Sequence, residues 1–392
     1  MARICKAFVP IVAMSVLLAG CWDKRELNQL AIVSMVGMDY DRENGMKTIY
    51  YQIINPVSGV VSDGGSPAGN EAPVYTFKID ARSYGEMKST IHKLLSRRLF
   101  VAHNRALIVS ERAAKQGIRD FVNYIEMQPN ARSSIPLLVA NGPISRIMKT
   151  FTPLESVPSD SIDSKLKYLT SDSLIGGERV KMRDLIERMQ RAEAIVLPMV
   201  KDTEKRRTSN SNDAAVQIDA NKNNLIIEGG AVFQDYKMVG KLDDTELVWY
   251  HLLNGDKGRH TKLFKVDGKQ LTIQFQLEDI SRSVHWRNQQ PVVKIHIDLE
   301  LSTVYSIEYV PQNWQEVKQL EHEVANTITK ELHAFHKKTV ENGWELLKIR
   351  ETLERYLTKR RQTEKVVAMK DIEVDIDLNA RVLHIGSIRK TY

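Results

Sequence analysis

Beyond residue 21 the chain has no cysteine: of its 392 residues only Cys5 and Cys21 carry a thiol. A disulfide framework is excluded for the body, and so is thiol catalysis there. After the first apolar stretch, no second run approaches the roughly 20 residues needed to span a bilayer. No low-complexity segment appears. The sequence contains no G-x-S-x-G elbow, no P-loop and no H-E-x-x-H helix. The pairs Gly176-Gly177 and Gly229-Gly230 lack the spacing of a phosphate cradle. Zinc-finger spacing and the aromatic signature of RNA-binding sheets are also missing, which argues against nucleic acid as a partner. No cofactor and no catalytic residue is implied.

What is present begins at Met1. Arg3 and Lys6 precede "AFVPIVAMSVLLA", an apolar run of about 13 residues, the length of a signal-peptide h-region. Pro10 inside it argues against a long anchor helix. Leu18, Ala19 and Gly20 then lead directly into Cys21. This order resembles a bacterial lipobox, in which the cysteine thiol is alkylated by diacylglycerol, the leader is cut before it, and the new amine is acylated. Several acyl chains give stable anchoring where one gives only marginal binding. The expected organisation is a signal peptide at 1–20 and a lipid anchor with tether at 21–30. The formal charge of +7 falls by two when Arg3 and Lys6 leave. Such a mildly basic body suits an anionic lipid surface.

From residue 31 the patterning is that of a mixed fold. "AIVSMVGMDYD" and "MKTIYYQIINP" read as strands around the turn signal Asn44-Gly45. Strand and helix patterns then alternate to residue 150, with Ser83 and Glu86 forming a capping box for "SYGEMKSTIHKLLSRRL". This predicts an N-terminal α/β domain at 31–150. Residues 151–224 are polar and serine-rich and predict a middle domain or linker. From 225 to 392 a C-terminal α+β domain is expected. There "LTIQFQLED" and "VVKIHIDLELS" alternate cleanly, and Val317, Leu320, Val324, Ile328, Leu332 and Phe335 recur at helical spacing. A second helix is expected to carry Trp344, Leu347, Leu353 and Tyr356. His333 and His336 with Glu331 suggest no third metal ligand, and they read as solvent-facing. The clusters at Lys359–Arg361 and Glu204–Arg207 read as solvated charge.

Two stretches resemble a known family. "GCWDKRELNQLAIVSMVGMDYD" is similar to the mature start of the C-subunit lipoproteins of spore germinant receptors, the Ger(x)C family. The matching positions are Cys21, Trp22, Asp23, Arg25, Glu26, Leu27, Gly37 and Asp39. "EGGAVFQDYKMVGKLDDTELVWYHLLNG" resembles the opening of the family's C-terminal domain, at Gly230, Ala231, Phe233, Val239, Gly240, Leu242 and Glu246. Members often carry Phe-Gly before the late tryptophan, where this chain has the more polar "TVENGWELL". The resemblance implies three mixed α/β domains with largely antiparallel sheets behind a cleaved leader, and no catalytic activity. It implies a membrane-anchored protein on the outer surface of the inner spore membrane. Its partners would be an integral A-type subunit and a transporter-like B-type subunit, and its role would be in assembly and signalling. Two other readings compete: a solute-binding lipoprotein that delivers a ligand to a transporter, and an envelope enzyme. The first needs two lobes around a cleft, and the second needs a catalytic motif.

Overall fold

Leu30–Asp41 (β1) and Met46–Ile54 (β2) pair antiparallel around Asn44-Gly45, where Gly45 takes φ +67°. This hairpin belongs to a nine-stranded sheet in a computed structural model. The structure describes residues 27–56, 72–150, 152–172, 180–203, 224–288, 290–305, 311, 313–360 and 369–383. The other strands are Val74–Ala81 (β3), Arg98–Phe100 (β4), Ala106–Ser110 (β5), Leu137–Ala140 (β6), Ile195–Asp202 (β7), Leu225–Gln234 (β8) and Lys237–Leu242 (β9). Their order is β3-β2-β1-β5-β6-β7-β8-β9, with β4 beside the start of β1. The centre, β1-β5-β6-β7, is parallel, and both flanks are antiparallel.

A second sheet contains Arg259–Val266 (β10), Lys269–Arg287 (β11), Gln290–Tyr305 (β12) and Glu373–Val382 (β13), in that order. Only β13 runs parallel to its neighbour. The fold is therefore mixed α/β, and most of its paired length is antiparallel.

The helices are Tyr84–Leu94 (α1), Glu111–Gln116 (α2), Arg119–Glu126 (α3), Ile144–Ile147 (α4), Pro158–Asp172 (α5), Met182–Gln190 (α6), Asp244–Asn254 (α7), Trp314–Glu341 (α8) and Ile349–Lys359 (α9). Period-2 alternation sorts the sheet residues between cores. Leu107, Val109, Leu137, Val139, Leu197 and Phe233 face one core, which α1, α2, α3 and α6 cover. On the opposite face Ala106, Ile108, Leu138 and Ala140 meet α4 and α5. Farther along that face, Val196, Val232 and Leu242 join the core of the second sheet. That core takes one face of β11 and β12 together with α7, α8 and α9. At its centre Phe275 stacks on Trp249, with centroids 6.2 Å apart.

Sheet membership departs from the expected domain limits in two places. The expected C-terminal domain at 225–392 gives its first two strands, β8 and β9, to the N-terminal sheet. The expected middle domain or linker at 151–224 has no core of its own among the described residues. Instead Ile162, Leu166, Met182 and Leu185 pack on the two faces of the nine-stranded sheet, and β7 lies within it. Among the described residues there, helices α5 and α6 each carry one solvated face. The helix expected to run to Leu99 ends at Leu94, and Arg98–Phe100 pairs with the start of β1. Trp344 and Leu347 lie before α9, not on it. Among the described residues no helix is long and apolar enough to cross a membrane.

His260 on β10 packs edge-on against Phe275, 5.4 Å between centroids. Burial, with Lys262 adding repulsion, depresses its imidazole from 6.5 to about 4. Between those values the unfolded chain holds a proton that the folded chain does not, so stability rises with pH there. The contribution is complete above pH 6.5 and is lost progressively as pH falls towards 4. His336, expected to face solvent, is instead partly buried; that burial and His333 depress it, and it acts in the same direction. The His260→Gln variant should therefore lose less stability than the parent on acidification, measured as the urea midpoint at each pH. Equal losses would show that His260 does not carry this dependence.

Candidate functional site

The described residues begin at Leu27, so Leu18, Ala19, Gly20, Cys21, Trp22, Asp23, Arg25 and Glu26 lie outside them. Leu27 opens a short 3-10 turn, Leu27–Gln29, that feeds β1. The remaining family-motif residues fall into two groups.

The first group closes the far end of β1. Gly37 is buried, and an added Cβ would sit 2.7 Å from Met148 Sδ and 3.3 Å from Ile144 Cδ1. Its missing side chain is what lets α4 lie against the strand. Two residues on, Asp39 Oδ1 accepts the Ser110 hydroxyl at 2.5 Å. Ser110 Oγ in turn accepts the Ala113 N–H at 3.0 Å and caps α2. Arg112 closes the group, donating to Asp39 at 2.6 Å and to Asp41 at 3.1 Å. The hydrogen bond from Arg112 to Asp39, reinforced by both carboxylates, raises the guanidinium above its already high ordinary value. Asp39 therefore works as a latch between parallel strands β1 and β5. Ser110 before Glu111 is a readable cap signal. Arg112 carries no signal in the sequence alone.

The second group joins the two sheets. Gly230 on β8 admits Val196 and Leu247, whose side chains would clash with any Cβ there. Phe233 is fully buried in the first core. Asp243 and Glu246 form a reciprocal capping box at the start of α7, with bonds of 2.8 and 3.0 Å. Glu246 also receives Lys338 of α8 at 2.5 Å. Gly240 on β9 lies under the indole of Trp344: an added Cβ would overlap Cζ2 and stand 2.8 Å from Cε2. Gln234 donates to the Gly343 carbonyl at 3.0 Å, and the Trp344 N–H donates to Thr339 at 2.8 Å. Trp344 is thus the partner of the motif stretch Val239–Leu242 on β9. The sequence offers no hint of that pairing, because about a hundred residues separate the two.

A groove of about 590 Å³ runs along this seam, lined by Asn141, Gly229, Lys241, Asp244, Glu246 and Lys338 among others. Its charged groups are already engaged. Lys241 meets Glu111 at 2.7 Å, Lys338 meets Glu246, Lys201 meets Glu228 at 3.4 Å, and Asp244 accepts the Gly229 N–H at 2.7 Å. Burial opposes ionisation of Glu111, yet hydrogen bonds from Lys115 and Lys241 hold its carboxyl below the ordinary value. A smaller cleft of about 180 Å³ lies between α6 and α9. There Arg188 pairs with Glu193 at 2.5 Å and Arg350 pairs with Glu345. Burial, then Arg188 and Arg282, push the Lys348 ammonium down. Neither cleft brings a nucleophile together with a base. Glu331, the expected neighbour of His333 and His336, pairs with Lys262. Among the described residues no group of three or more His, Cys, Asp or Glu could hold a metal ion.

Both halves match established family models. Residues 23–202 match the spore germination protein N-terminal domain, and residues 228–386 match the spore germination B3/GerAC-like C-terminal domain. Spore germination protein KC of Bacillus subtilis (strain 168) is 27% identical over 352 residues, 84% of each chain. Spore germination protein GerQC of Bacillus cereus is 19% identical over 391 residues, covering 97% of this chain and 99% of that one. The crystal structure of the GerBC protein superposes with a TM-score of 0.53 at 12% identity, over 89% of this chain and 97% of that one. This last likeness concerns the fold. The two family models meet between residues 202 and 228, whereas the nine-stranded sheet runs across that junction.

The close approach of Gly240 and Trp344 can be tested by a double-mutant cycle. Gly240→Ala should cost about 1–3 kcal/mol through overpacking. Combined with Trp344→Leu it should cost less than the sum of the two, with a coupling of about 0.5–3 kcal/mol. Chemical denaturation of the four proteins measures this, and strict additivity would contradict the contact.

Proposed function

The chain belongs to the Ger(x)C family of spore germination proteins, and on that premise we propose that it is the lipid-anchored, non-enzymatic subunit of a nutrient germinant receptor. The observation that carries this reading is the match of both family domains along the chain, starting two residues after Cys21. The lipobox-like order Leu18-Ala19-Gly20-Cys21 supports diacylglycerol on the Cys21 thiol. Its physical effect is confinement to the membrane plane, which raises the effective concentration near partners that span the same membrane. Those partners are an integral A-type subunit and a transporter-like B-type subunit, and the anchor holds this chain against them on the outer surface of the inner spore membrane. The internally paired charges of the seam groove support a role in assembly and signalling over delivery of a solute.

Replacing Cys21 with Ala tests the anchor. The variant is expected to leave the membrane fraction of spores and to lose nutrient-triggered germination. A variant that stays membrane-bound at high salt and germinates normally would overturn this reading.

A further inference from the structure

The start of β1 is where the chain leaves the sheet towards Cys21. Strand β4 runs parallel to it there, with Leu30 opposite Arg98. Paired strands lie about 4.8 Å apart, so Arg98 enters the sheet, with Arg97 just before it, beside the segment that leads to the anchor. Both are exposed, and neither makes an ion pair or side-chain hydrogen bond among the described residues. Lys93, in the last turn of α1, is exposed as well. Next to it Leu94 is 54% exposed, although it is a large apolar side chain. Residues 92–98 contain no acidic group. Arg105, by contrast, is held by Asp160 at 2.9 Å and faces Asp163 at 3.8 Å.

The tether limits how far this rim can turn away. Nine residues from Cys21 to Leu30 reach at most about 30 Å when fully extended. A membrane that holds Cys21 therefore lies within that distance of the amino end of β1.

We propose that the rim formed by Lys93, Leu94, Arg97 and Arg98 is a contact surface for anionic phospholipid headgroups. Its orientation rests on the anchor reading above. The two guanidinium forks match phosphate oxygens, and the ammonium adds a third cation. Leu94 adds an exposed apolar side chain that can enter the interface. Unpaired cations around an exposed leucine serve no packing purpose within the sheet. They are complementary to a negatively charged lipid surface.

The test uses residues 22–392, which contain every described element and carry no lipid. Flotation is measured with phosphatidylcholine vesicles and with vesicles that also contain phosphatidylglycerol. Binding is expected only to the anionic vesicles, and weaker at high salt. The variant Arg97→Glu/Arg98→Glu should bind at least about tenfold less tightly. A control, Lys265→Glu/Lys330→Glu, changes the same net charge at exposed positions of the second sheet unit and should bind like the parent. Equal weakening of both variants would overturn the proposal in favour of net charge alone. Failure to prefer anionic vesicles would overturn it in favour of an acidic protein partner. Because this chain carries no acyl group, either failure leaves the Cys21 experiment to stand or fall on its own.

Discussion

Strand β8 lies between two hydrophobic cores and contributes to both. Ala231 and Phe233 point into the first core, and Val232 between them points into the second. Gly230 removes the one side chain that would hold Val196 and Leu247 apart. Its neighbour β7 behaves the same way, with Leu197 on one side and Val196 on the other. Separating the two sheets would expose apolar faces on both sides of this pair. Each fully buried side chain of this size is stabilised by about 1.5–3 kcal/mol, so the junction depends on packing. The two sequence domains therefore share one continuous sheet.

Charge has a secondary part at the same junction. Lys241–Glu111, Lys338–Glu246 and Arg119–Asp235 all cross between elements that are distant in sequence. They are partly solvated, and such pairs contribute on the order of 0–1 kcal/mol each. Their value lies in register. The Asp243–Glu246 capping box fixes where α7 begins, and Lys338 then ties that end to α8. The Trp344 indole lies on Gly240 in the space this leaves, with Lys338 Nζ 5.8 Å from its ring centroid. Shape chooses the arrangement, and charge aligns it.

What could be read from the sequence was local. Alternation on β11 and β12, the helical stripe of α8, the Asn44-Gly45 turn and the cap at Ser83 all rest on contacts between near neighbours. What could not be read was partnership across the chain. Arg98–Phe100 looks like the tail of a helix because its propensity is ambiguous, and only the unpaired edge of β1 makes it a strand. Residues 158–190 look like a linker because half of each helix faces water. Trp344 looks like a helix residue because nothing nearby announces Gly240. In each case a tertiary surface overrides a local signal of a few tenths of a kcal/mol per residue. The motif glycines were visible as letters, but the atoms that need their missing side chains were not.

The family motifs within the described residues are accordingly structural. Gly37 and Asp39 close the far end of β1, and Gly230, Gly240 and Glu246 close the seam. None of them presents an unpaired polar group in a cleft. At about 3.3 Å per residue, Asp39 stands roughly 30 Å along β1 from Leu30. The sheet therefore has two unlike rims. At the carboxyl rim Asp39, Ser110 and Arg112 satisfy one another. At the amino rim Arg97 and Arg98 have no ion-pair or side-chain hydrogen-bond partner among the described residues. A rigid strand links the two, so whatever is bound at the amino rim fixes the orientation of the carboxyl rim and of the second sheet packed beside it.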